Sequence, residues 1–230
     1  MFLQFPMDKK LKVSALFLVA ATMLAGCGSK SASAGTHDYA TKQSYNLMAS
    51  TEVETMDPSL ADDSTSLTQI ENTNEGLYHP NKAGKLVAEA ATKTKVSKDG
   101  MTYAFTIHKG MKWSNGDPVT AQNFVYGWQR SVNPKTKAPN AFLFVPIKNA
   151  DAITAGKKNP KTLGVKAINK TTFKVTLVKP APYLKQMTAL PAFYPQDKKA
   201  VEKYGKSYGT SSTTTVYNGP FVQKGWTGSN

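Results

Sequence analysis

The sequence predicts a mixed α/β (α+β) fold, and three stretches carry that reading. From Thr102 to His108 the residues alternate: Tyr103, Phe105 and Ile107 fall on one side, Thr102, Ala104, Thr106 and His108 on the other, the pattern of a half-buried strand. Downstream, Phe124, Val125, Trp128 and Val132 share one face of a helix. From Leu163 to Leu177, Val165 and Ala167 alternate on one arm and Phe173, Val175 and Leu177 on the other, with Asn169-Lys170 in the bend of a hairpin.

The first two stretches sit in one unit, Asp99 to Arg130, that reads strand, turn, turn, helix. Lys109-Gly110 breaks the strand. Asn115-Gly116 supplies the positive φ of a tight turn, and Pro118 has no N–H for a ladder bond. Thr120 stands where a helix N-cap belongs, and Asn133-Pro134 ends the helix. On residue chemistry alone this is a folding unit with an aromatic core. Its string, DGMTYAFTIHKGMKWSNGDPVTAQNFVYGWQR, resembles the signature region of the oligopeptide-binding lipoproteins, the extracytoplasmic receptors of peptide ABC importers.

The other elements follow in order. Tyr45 to Ala49 is a short strand candidate, Asp57-Pro58 starts a turn, and Asp62, Asp63 and Ser64 continue it as a polar loop. Leu67 to Leu77 can form a helix with Leu67, Ile70 and Asn74 along one side. The order strand, Asp-Pro, polar loop, helix, Glu75-Gly76-Leu77 resembles the same family, as does Leu86-Val87-Ala88-Glu89, although the family usually has Trp where Ala91 stands. Asn149 to Gly156 and Tyr183 to Leu190 read as short helices, and Gln196 to Tyr204 as a helix closed by Gly205. Val216 to Val222 reads as strand, turn, strand; Asn218-Gly219-Pro220-Phe221 resembles the family's return to its first sheet.

With 230 residues, 40% hydrophobic and 10% aromatic, the chain can bury a real core and is not a disordered sequence. Residues 1–26 read as a signal peptide: Lys9, Lys10 and Lys12 precede the apolar run Val13 to Leu24, too short for a bilayer span. Leu24-Ala25-Gly26-Cys27 resembles a bacterial lipobox, so Cys27, the one cysteine, is the expected lipidation site; it also leaves no internal disulfide. Residues 27–41 form a small, polar tether. The formal net charge is +14. Arg130 is the one arginine and the lysines are scattered, which argues against nucleic acid and for attraction to an anionic membrane or wall.

Catalysis finds no support. Gly205-Lys206-Ser207 lacks the first glycine of a phosphate-binding loop, since Ala200 stands there, so no nucleotide cofactor is expected. His37, His79 and His108 are far apart and suggest no metal site. No Gly-x-Ser-x-Gly occurs, and the paired carboxylates Asp62 and Asp63 sit in a polar setting rather than a dry pocket.

What the resemblance implies is a periplasmic-binding-protein-like class II lobe, incomplete, with the second lobe absent. Residues 42–76 with 206–230 would form part of the first lobe, and 77–205 an inserted α+β subdomain. Such a protein does no chemistry; it holds an extended peptide between two closing lobes and passes it to a membrane permease with separate ATPase subunits. A carboxylate after the Asp-Pro turn faces the ligand, which places Asp62 in that role with Asp63 and Ser64 adjoining. The family often has an aromatic after the proline that follows the signature helix; Asn140 after Pro139 departs from this and suggests a changed ligand preference. Nickel or haem in place of peptide is left open by the resemblance. Rival readings are a lysine-rich surface adhesin on the same scaffold and a non-functional truncated gene product.

Overall fold

The structure is a computed structural model that describes residues 43–228. The signal peptide, Cys27 and the tether of the sequence reading lie outside the described residues. Contacts group the chain from Met48 onward into one unit.

The alternating stretch forms the second strand of an antiparallel sheet. Strands β1 (Tyr78–Pro80) and β2 (Leu86–Ala88) make a small hairpin; β3 (Ala91–Val96), β4 (Thr102–Ile107), β5 (Val165–Ala167) and β6 (Thr172–Thr176) form a second sheet in the order β3-β4-β6-β5. Tyr103, Phe105 and Ile107 are buried as their spacing requires, and Phe105 lies opposite Phe173 of β6. Ala91, at the family's tryptophan position, is buried at the start of β3.

Among the described residues, turns of 3-10 helix and the α-helices α1 (Ser64–Thr73), α2 (Ala121–Ser131), α3 (Ala150–Thr154), α4 (Leu184–Met187) and α5 (Lys198–Tyr204) accompany this sheet. Helix α2 lies on the sheet's apolar face. Phe124 stacks on Phe173 with ring centroids 5.2 Å apart, and Trp128 meets Phe173 edge-on at 5.6 Å. Phe144 and Phe193, from two 3-10 turns, complete the aromatic core, their rings 4.2 Å apart. At the start of α2, Asn123 reaches back: its Oδ1 accepts from Thr120 N at 2.7 Å and from Thr120 Oγ1 at 3.0 Å. A smaller core of Val53, Met56, Ala61, Ile70, Tyr194 and Tyr217 packs under α1.

Three expectations are corrected. Residues 45–49 are exposed and form no strand, because no strand among the described residues pairs with them. Residues 216–222 are not strand–turn–strand; Tyr217 is instead tied to Ser114, which donates its N–H to the Tyr217 carbonyl at 2.7 Å, and Gly219 N donates to Thr73 O at 2.9 Å. Helix α1 begins at Ser64 rather than Leu67, because Asp63 caps it: Ser66 N donates to Asp63 Oδ1 at 2.8 Å.

Candidate functional site

Asp57-Pro58 builds the turn on which the predicted ligand-facing residues stand. The Asp57 carbonyl accepts from Leu60 N and Ala61 N, both at 3.0 Å, and Ser59 N donates to Asp57 Oδ1 at 3.0 Å. This is the side-chain-to-backbone turn that aspartate favours. Its carboxylate is 1% exposed and takes both arms of Arg130 from α2, Nη1 to Oδ1 and Nη2 to Oδ2, each at 2.6 Å. The bond pattern continues: Arg130 Nη1 donates to Gln196 Oε1 at 2.9 Å, Gln196 Nε2 to Ser59 Oγ at 2.7 Å, and Ser59 Oγ pairs with Ser131 Oγ at 2.8 Å. Burial works against the guanidinium's charge, but the hydrogen bonds and charge of Asp57 outweigh it and the pKa of Arg130 rises. Gly209 is fitted to this place: at φ +77° it brings its backbone so close that a Cβ would lie 2.5 Å from Asp57 N.

From this base Asp62, Asp63 and Ser64 emerge: Asp62 and Ser64 are exposed and Asp63 is half-buried. Asp63 spends one carboxylate oxygen on the helix cap, while Oδ2 is buried without a partner among the described residues. Carboxylate oxygens of Glu54, Asp62 and Asp63 lie within 4.8 Å of one another. Glu54 is held there because Ser66 Oγ accepts from Glu54 N and Thr55 N at 3.0 and 3.1 Å. Asn140, distant in sequence, donates from Nδ2 to Ala61 O at 3.0 Å. The four residues singled out in the sequence, Asp62, Asp63, Ser64 and Asn140, are thus brought to one place. What sequence reasoning missed is the foundation: Asp57, Ser59, Arg130, Ser131 and Gln196. One signal was available. A chain whose 29 basic residues include a single arginine has a use for a planar fork that lysine cannot fill.

A second set of charges lies where α1 meets the β1–β2 hairpin. Glu89 Oε2 accepts from Gly76 N at 2.7 Å, and His79 Nδ1 lies 3.6 Å from Glu89 Oε1. Burial pushes the Glu89 carboxyl up to about 7; the Gly76 N–H opposes the rise, and the charges of Glu75 and Glu71 add to it. Burial also raises Glu71 and Glu75, with His108 and His79 drawing Glu75 back. A carboxyl raised in the folded state stabilises the fold fully below its ordinary value of 4.5, and that contribution is lost as pH climbs through about 7. Glu89→Gln is therefore expected to stabilise the chain at pH 8 by about 1–2 kcal/mol after allowance for solvent screening, with only a small part of that gain at pH 5, near the foot of the window. Urea unfolding of both chains at the two pH values measures it; an equal effect at both would show that the carboxyl's ionisation is not responsible.

The four-stranded sheet and the helix α2 that lies on it fall within the stretch of the chain that matches a family model. Residues 85–230 match the model described as bacterial extracellular solute-binding proteins, family 5 Middle. The chain belongs to this family of solute-binding proteins. Among the relatives of this family 5 chain, the dipeptide-binding protein of Lactococcus lactis is 41% identical over 227 residues, which is 96% of this chain and 40% of that protein. The oligopeptide-binding protein of Bacillus subtilis is 38% identical over 223 residues, 96% of this chain and 41% of that one. The structure of the Listeria monocytogenes oligopeptide-binding protein bound to peptide superposes with a TM-score of 0.79 at 42% identity, covering 83% of this chain and 38% of that one. The family 5 chain thus spans about two fifths of the length of the curated relatives it matches.

Proposed function

We propose that this family 5 chain supplies the first-lobe face of an extracytoplasmic receptor that captures oligopeptides for a membrane permease with separate ATPase subunits. In this reading Cys27 carries lipid and anchors the receptor to the outer face of the cell membrane. Residues 42–76 and 206–230 are part of the first lobe; hydrogen bonds between Met56 N and Gly209 O and between Gly219 N and Thr73 O support grouping them. Residues 77–205 are the inserted subdomain. The observation that carries the reading is the meeting of Asp62, Asp63, Ser64 and Asn140 on one turn fixed by a buried ion pair. A ligand-facing carboxylate held by such a base loses little freedom on binding, which is where affinity comes from in a broad-specificity site. Asn140, engaged with the Ala61 carbonyl, replaces an aromatic contact with a positioning one.

The test joins this chain to the remaining residues of the Lactococcus lactis relative and titrates short peptides by calorimetry. The joined protein is expected to bind in the micromolar range, and the 230-residue chain alone far more weakly. Asp62→Asn in the joined protein should weaken binding roughly tenfold. Tight binding unaffected by Asp62→Asn would remove Asp62 from the ligand face, and no binding by a folded joined protein would overturn peptide capture.

A further inference from the structure

Helix α2 turns one flank away from the core, and between that flank and β5 runs an open trough of about 1270 Å³. It continues into a second hollow of about 250 Å³ that shares Gln122 and Ala167 with the first. Val125, Tyr126, Leu163 and Val165 are among the apolar groups lining it, and Lys135, Lys158, Lys161, Lys166, Lys174 and Lys198 stand around it. None of the described residues lining either hollow is acidic. Neither hollow includes Asp62, Asp63, Ser64 or Asn140.

One wall of the trough is the edge of a sheet. β5 pairs only with β6 among the described strands. Thr176 N donates to Gly164 O and Ile168 N to Thr172 O, with Lys166 opposite Lys174 between them. Antiparallel pairing alternates, so the backbone N–H and C=O groups of Val165 and Ala167 face away from β6. The Val165 N–H is taken by the Leu163 carbonyl at 2.6 Å. Among the described residues the Ala167 N–H and the Val165 carbonyl have no backbone partner, and they stand as a donor and an acceptor at strand spacing beside the trough.

We propose that this trough takes an extended acidic segment of another polypeptide, which adds to β5 as a fifth strand. Strand addition supplies affinity through main-chain hydrogen bonds, and the side chains that line the groove supply selection. Edge lysines ordinarily deter indiscriminate strand pairing. Here the same lysines would admit a segment whose carboxylates meet them and repel a neutral or basic one. A second copy of this chain is a poor occupant, because its formal charge of +14 matches the trough in sign. The inference does not rest on peptide capture at the Asp62 turn.

The test uses the 230-residue chain and a fluorescent nonapeptide of alternating Glu and Val, read by anisotropy at low salt. Saturable binding is expected, weakened about tenfold or more by Lys166→Glu with Lys174→Glu. Ala167→Pro removes the edge donor at a position where a strand edge tolerates proline, and should cost a similar factor. Methylating alternate backbone nitrogens of the peptide leaves the protein untouched and should give the same loss, which guards against a misfolded Ala167→Pro chain. Polyphosphate of matched charge should respond to the charge reversals but not to Ala167→Pro. The proposal is overturned if a control nonapeptide of alternating Lys and Val binds as well, if neither backbone change matters, or if the acidic peptide shows no saturable binding.

Discussion

Asp57→Ala is expected to lower the stability of the chain by about 3–5 kcal/mol, the range for breaking a buried pair by removing one partner. The substitution leaves the Arg130 guanidinium, whose side chain is 15% exposed, without its two 2.6 Å acceptors. It also frees Ser59 N, whose bond to Asp57 Oδ1 shapes the turn. Arg130→Met should cost a comparable amount from the other side, stranding the carboxylate. The double variant, Asp57→Ala with Arg130→Met, buries no unpaired charge and should recover a substantial part of the loss, because apolar replacement of both partners is often near neutral. Urea unfolding of the three variants completes the cycle. A single-variant loss below about 1 kcal/mol would mean that water reaches the pair and that the turn stands without it.

That pair also marks where reading the sequence stops. β4, α2 and the β5–β6 hairpin were legible because each is a local period imposed by one buried face, and Phe105, Trp128 and Phe173 all lie inward as their spacing requires. The start of α1 was misplaced because Asp63 has two readings, solvated loop or helix cap, and only the folded backbone brings Ser66 N to its carboxylate. The strand expected at 45–49 failed for a different reason: a short apolar run suits a strand, but a strand also needs a neighbour, and none of the described strands pairs there. At the candidate site, Asp62 to Ser64 were singled out through family likeness. Their foundation was not, because Asp57 and Arg130 are joined only through the tertiary fold, with Gln196 reached from farther still. The perturbed Glu89 was hidden likewise, since its burial and its bond from Gly76 N arise only in the folded chain.

Trp128→Ala should cost about 3–5 kcal/mol, the range for emptying a large aromatic site in a packed core. The indole is fully buried among Phe144, Phe173 and Phe193, meeting the last two edge-on at 5.6 and 5.2 Å, and its Nε1 donates to the Phe193 carbonyl at 2.7 Å. Trp128→Phe keeps an aromatic ring but leaves that carbonyl without its donor, so its cost should be smaller, about 1–3 kcal/mol. The gap between the two variants separates ring packing from the hydrogen bond. The same residue bears on the candidate site through its helix: Arg130 and Ser131 follow in α2, and both belong to the network beneath the Asp62 turn. If the aromatic seat of Trp128 sets where the guanidinium can reach, then Trp128→Phe and Asp57→Ala will not add, and their interaction should exceed about 0.5 kcal/mol. Strict additivity would instead mean that Arg130 keeps its aim while the core around Trp128 relaxes, and that the turn owes its position to the Asp57 backbone bonds and Gly209 alone.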